Sequence, residues 1–198
     1  MVSINSKKEI TLIGVDFDGV ITQNPLRAAR VLIAILKHRI LRIKKLSFFV
    51  PKGRWQRMVY FCGVIAPNIW PAKGISLLKE MAESGNYNFI LVTGRYGFVE
   101  KQTKDWIKKY QLSSSFKKIY INSKQEQPHE FKKRIIQEEK FDYYIEDNWD
   151  IVNRLSASVE TKIYWIYNFL DKTRVYKFKF PTLESALKQI RNEKEDTD

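Results

Sequence analysis

Four short stretches of this chain carry side chains able to act on a phosphoryl group. Asp16 and Asp18 flank Phe17 and run into Gly19. Alternate residues of an ideal strand point to opposite sides, but a strand that breaks into a glycine turn can bring both carboxylates to one crevice. One carboxylate can then attack phosphorus to form an acyl-phosphate, while the other handles the proton of the leaving alkoxide. Thr93 ends the apolar run Phe89-Ile90-Leu91-Val92 and continues as Thr93-Gly94-Arg95. A hydroxyl there can donate to phosphoryl oxygens alongside backbone N–H groups of the turn, and it is equally suited to cap a helix. Such chemistry also calls for a lysine to neutralise the nucleophile and the transferring group. Glu146-Asp147-Asn148-Trp149-Asp150 offers the hard oxygen ligands that magnesium takes, with Asp150 equally placed to be a helix N-terminal acid.

The elements around these residues alternate. Apolar, β-branched runs over Ile10 to Val15, Asn88 to Val92, Lys118 to Asn122, Asp142 to Ile145 and Lys162 to Tyr167 predict five strands. Helical patterns fall over Ile75 to Ser84, Gly97 to Tyr110, Glu130 to Glu139, Asp150 to Ser156 and Leu183 to Arg191, the last after Pro181-Thr182. Strand–helix alternation predicts an α/β fold, a Rossmann-like parallel sheet between two helical layers. Three strands end in the polar and acidic residues above, at the carboxyl ends where open α/β sheets place their ligand crevice.

The ordered set resembles the haloacid dehalogenase (HAD) superfamily over roughly residues 10–166, excluding the insertion of residues 22–72. Asp16-Phe17-Asp18-Gly19-Val20 is similar to its DxDG[TV] hallmark, which implies Asp16 as nucleophile and Asp18 as general acid/base. Thr93 and Lys132 match its second and third elements. Lys132 opens the helical pattern before the fourth strand, 14 positions ahead of Glu146; Lys133 is adjacent and Lys124 lies upstream. Gly19, Gly94 and Arg95 are the expected substrate contacts. The resemblance implies a Mg2+ site formed by Asp16, a backbone carbonyl at Asp18, and the Glu146-Asp147 cluster. Glu146 departs from the usual Asp or Gly, so the direct ligand is Glu146 in one register and Asp147 in the other. The implied activity is phosphomonoester hydrolysis through an aspartyl-phosphate, on a phosphorylated metabolite, with a nucleotide among the candidates. Nucleic-acid end or lipid-phosphate phosphatase, and a non-catalytic binding protein on the same fold, are the alternatives.

The 198 residues divide into a core of 1–21 and 73–192, an insertion of 22–72 and a polar tail of 193–198 expected to fray. In the insertion Ala29, Ile33, Leu36, Ile40 and Ile43 recur at helical spacing, and its position resembles a helical cap of the superfamily's first type. The formal net charge is +13, and between Gly19 and Lys79 there are twelve Lys or Arg and no Asp or Glu. Residues 27–57, including Arg27, Arg30, Lys37, His38, Arg39, Arg42, Lys44, Lys45, Lys52, Arg54 and Arg57, therefore suit an anionic partner, whether substrate, nucleic acid or acidic membrane surface, or else a solvated face. Trp55, Tyr60, Phe61 and Trp70 are expected in the core, with base stacking as the alternative. Cys62, the single cysteine, is expected as a packed thiol and fits a reducing, cytoplasmic setting. His38 and His129 are assigned no metal. No signal peptide is read at the N-terminus, and the apolar run Val31 to Leu36 falls far short of the roughly 20 residues that span a bilayer.

Overall fold

The structure, a computed structural model, describes residues 10–23, 48–66 and 69–196. The first apolar run forms β1 (Thr11–Val15). Around it lie β4 (Tyr87–Tyr96), β5 (Phe116–Asn122), β6 (Tyr143–Glu146), β7 (Lys162–Ile166) and β8 (Lys179–Phe180). These six make one sheet in the order β5-β4-β1-β6-β7-β8, with every neighbouring pair parallel. The chain passes from β1 to β4 on one side and then returns to β6 on the other, so the strand order reverses at β1. At such a point the loops leaving adjacent strands part, and open α/β sheets place their ligand crevice there, at the carboxyl ends of the strands.

Period-two alternation sorts the buried side chains into two cores. Phe89 and Leu91 of β4, with Ile13 and Val15 of β1, join α2 (Ile75–Glu83), α3 (Glu100–Lys109) and α6 (Leu183–Glu195) on one face. Ile90 and Val92 face the other way, with Tyr144 and Trp165, onto α4 (Pro128–Glu139) and α5 (Trp149–Ser156). Gly14 belongs to this second face, where a Cβ would stand 2.5 Å from the Tyr144 ring. The helices start where their sequences direct. Pro128 sits in the first turn of α4, Asn148 Oδ1 accepts the Asp150 N–H at the start of α5, and Thr182 caps α6 through Ser185 N–H.

The ends of the insertion meet as a two-stranded antiparallel pair, β2 (Thr22–Gln23) with β3 (Trp70–Pro71). Between them the described part holds α1 (Arg54–Tyr60), which runs on as a π-helical turn, Phe61–Ile65. The helical pattern of Ala29 to Ile43, and the cations from Arg27 to Lys45 with His38, lie outside the described residues.

Four expectations are corrected. A sixth strand, β8, closes the sheet edge beyond β7. The tail does not fray at residue 193, because α6 runs to Glu195: Glu193 gathers hydrogen bonds from Tyr143, Tyr164, Lys162 and Gln189, and Lys194 reaches Thr11 and the Asn86 carbonyl. Trp55, Phe61 and Trp70 are exposed rather than in the core, and only Tyr60 of that group packs inward. Cys62 is exposed as well.

Candidate active site

Asp16 is the first residue past β1, and its backbone N–H bonds to the Ile145 carbonyl of the neighbouring strand. That bond ties the end of β1 to the end of β6, where Glu146 and Asp147 follow. One oxygen from each of Asp16, Glu146 and Asp147 lies within 4.8 Å of the others, and all three residues are buried. Lys132 enters from the second turn of α4, its Nζ 3.0 Å from Asp16 Oδ1 and 2.7 Å from Glu146 Oε2. Lys132 is itself buried, so it is no surface lysine; Lys124, by contrast, is exposed and Lys133 half-buried.

The charges in this cluster do not balance: three carboxylates face one ammonium in a site away from water. Burial, together with Glu146, Asp147 and Asp18, raises Asp16 well above the ordinary carboxylate range against the pull of Lys132. Glu146 is raised for the same first reason, again with Lys132 opposing. Burial alone would strip Lys132 of its proton, but Asp16 and Glu146 outweigh it and hold the ammonium charged. A divalent cation suits such a set, because the donors are hard carboxylate oxygens and the surplus charge is negative. Glycines make the approach possible. Gly19 has φ +80°, and a Cβ there would stand 2.2 Å from Asp147 Oδ2. At Gly94 a Cβ would press to 3.0 Å from Pro128, holding off the helix that carries Lys132.

Thr93 is fully buried in β4 beside this cluster, and its hydroxyl accepts the Arg95 N–H at 3.2 Å. The strand runs on through Tyr96, with a register irregularity between Thr93 and Tyr96, so Thr93 is not a helix cap. No protein-family profile matches the sequence, nor does any curated protein. Solved structures do match in shape. A haloacid dehalogenase-like hydrolase from Bacteroides fragilis aligns with a TM-score of 0.58 and 12% identity, covering 89% of this chain and 99% of its own. A HAD-superfamily hydrolase of subfamily IA from Geobacter sulfurreducens gives 0.53 and 15%, covering 91% and 99%. A HAD hydrolase from Bacillus subtilis, bound to magnesium, gives 0.56 and 14%, covering 93% and 100%. This is the haloacid dehalogenase fold.

On this HAD fold the two aspartates of the first loop have separate partners. Asp18 turns away from the Asp16 cluster to Arg95, which donates from Nε to Oδ2 at 3.0 Å and from Nη2 to Oδ1 at 2.7 Å. Arg95 is buried, its Nη1 donates to Thr103 Oγ1, and its guanidinium lies 4.1 Å from the centre of the Phe17 ring. Arg95, expected at the substrate, is thus turned onto Asp18. Asp150 sits in the first turn of α5 and outside the carboxylate cluster. Sequence reasoning passed over Thr103 and Tyr144, a buried tyrosine whose hydroxyl donates to the Val92 carbonyl beneath the site. Neither carried a local signal: Tyr144 reads as one residue of an apolar run, and its approach to Gly14 arises only from the pairing of β1 with β6.

Proposed function

We propose that the chain is a magnesium-dependent phosphomonoesterase acting through an aspartyl-phosphate on Asp16. The observation that carries this reading is Lys132 Nζ held between Asp16 and Glu146, with Asp147 in the same buried cluster, at the point where the strand order reverses. An Asp16 oxygen attacks phosphorus as the ester P–O bond breaks, and Asp18 delivers a proton to the departing alkoxide. Water then attacks the aspartyl-phosphate, giving its proton to Asp18 and releasing Asp16 and phosphate. Lys132 neutralises Asp16 and the transferring group, and the Thr93 hydroxyl with backbone N–H groups near Gly94 holds phosphoryl oxygens. A bound magnesium supplies charge neutralisation and orientation of the phosphoryl group.

Between the two acidic candidates, Asp147 is our choice for the direct metal ligand. Both Glu146 oxygens are engaged, Oε2 by Lys132 and Oε1 by the Asn148 N–H at 3.1 Å, so Glu146 serves to place Lys132. Residues 22–72 act as a cap that selects the substrate, and their positive charge favours a multiply charged phosphorylated metabolite, a nucleotide among them. The single thiol suits a cytoplasmic setting. Magnesium-dependent hydrolysis of p-nitrophenyl phosphate by the purified chain tests the reading. Asp16→Asn should lower the rate by roughly 10³-fold or more. Full activity in that variant would sink the proposal, and an inert wild-type chain would favour a non-catalytic binding protein.

A further inference from the structure

The described part of the insertion shows water an apolar stripe of the kind a helix normally buries. Trp55, Met58, Val59 and Cys62 stand at i, i+3, i+4 and i+7, the spacing of one helix face. That face points outward. Trp55 is 70% exposed, Met58 and Val59 are each 49% exposed, and Cys62 is exposed. The opposite side of α1 is the one that packs, through Tyr60 against Tyr96 and Phe98 at 5.3 and 5.5 Å between ring centres. Beyond the stripe, Phe49 and Trp70 are exposed at 55% and 56%.

Charge narrows what this face can meet. Lys52 and Arg54 are exposed beside the stripe, Arg57 lies over the Phe98 ring on the opposite side, and no acidic residue occurs anywhere between Gly19 and Lys79. A second copy of the chain docking here would set cations against cations. Single-stranded nucleic acid answers the charge and could stack a base on Trp55, but it would leave the aliphatic Met58 and Val59 in water. An anionic bilayer answers both halves, taking the apolar side chains below the headgroups and the cations among them.

We propose that α1 and its π-helical continuation dock the protein, in the plane of the interface, on an anionic lipid surface. Tyr96 and Phe98 follow Thr93 at the carboxyl end of β4, so the docked helix leans on the same end of the sheet as the Asp16 cluster. Docking does not depend on the phosphatase reading, and its test does not use activity.

The test is co-sedimentation of the full chain with phosphatidylserine-rich vesicles and with pure phosphatidylcholine vesicles. The wild-type chain should bind the first and not the second. Trp55→Ser with Met58→Ser should weaken binding roughly tenfold or more. Lys52→Gln with Arg54→Gln should cost about fivefold per cation at low salt, with the deficit shrinking as salt rises. All four residues are exposed, Met58 at 49%, so the thermal unfolding midpoint should move little in either variant. Three results would overturn the proposal. The first is failure of the wild type to bind anionic vesicles, including the case where it retains a single-stranded oligonucleotide instead. Vesicle binding left intact by both double variants is the second. The third is a wild-type dimer that Trp55→Ser with Met58→Ser turns into a monomer, without vesicle binding.

Discussion

Asp16 and Asp18 are two residues apart and answer to different cations. Lys132 is 3.0 Å from the first, while Arg95 grips both oxygens of the second. A guanidinium has donors and no acceptor, so Arg95 can orient the Asp18 carboxyl group, charged or protonated, without trading protons with it. The fork uses one lone-pair direction on each Asp18 oxygen and leaves others for a leaving group. Arg95→Ala should therefore lower the turnover of an alkyl phosphate by about 10²-fold while p-nitrophenyl phosphate, whose leaving group needs no proton, is much less affected. Parallel rate measurements on the two esters check it, and equal losses on both would reduce Arg95 to a structural residue. The metal assignment separates in the same way. Magnesium should raise the thermal midpoint of the wild-type chain and of Glu146→Gln, whereas Asp147→Asn should lose that rise. A calorimetric titration in which Glu146→Gln is the variant that loses binding would reverse the choice of ligand.

At the scale of elements, the site depends on how closely helices can be brought to the sheet and to each other. Gly74 is the N-cap of α2 with φ +111°, and a Cβ there would stand 2.4 Å from the Glu184 backbone nitrogen at the start of α6. Backbone cannot rotate out of the way as a side-chain tip can. Gly74→Ala should cost about 1–3 kcal/mol from left-handed strain together with that clash, read by urea unfolding. The five longer strands were legible in the sequence because each is a short apolar, β-branched or aromatic run, three of them with polar and acidic residues at the carboxyl end. β8 was not, since the two residues Lys179 and Phe180 carry no period. Asp16 and Glu146 were legible as the ends of β1 and β6, whereas Thr93 read as a strand end although β4 runs on to Tyr96, and Lys132 as a helix start although α4 begins at Pro128. The Asp18–Arg95 grip spans 77 positions and left no local trace. Trp55, Phe61 and Trp70 read as core residues, and nothing local in the sequence showed that they look outward. For the tail, composition misled: Asn192 to Glu195 are polar, yet contacts with β1, β6 and β7 keep them helical.

Across the whole molecule, the crevice lies at the carboxyl ends of the strands and the fastening lies away from it. Glu193 of α6 joins three strand residues to one helix. Its Oε1 accepts from Tyr164 at 2.6 Å and from Gln189 at 3.1 Å, and its Oε2 accepts from Tyr143 and Lys162 at 2.9 Å each. Burial alone would raise this carboxyl, but the hydrogen bonds from Tyr164, Lys162, Gln189 and Tyr143 outweigh it and pull it down to about 2. An unfolded glutamate titrates near 4.3, so the folded state binds this proton more weakly than the unfolded state does. The stabilisation is therefore complete above about pH 5 and fades as the pH falls through the interval between roughly 4.3 and 2. The side chain is about a quarter exposed (23%), so a contribution on the order of 2 kcal/mol is expected at neutral pH. Urea unfolding of the wild type and of Glu193→Gln at pH 7, 4 and 3 isolates it. The gap between the two proteins should be widest at pH 7 and narrow steadily towards pH 3. The Asp16 cluster makes no such difference between these two proteins, because its carboxylates are common to both and distant from the substitution. A gap that stays constant with pH would mean that Glu193 fastens the helix through shape alone and not through its charge.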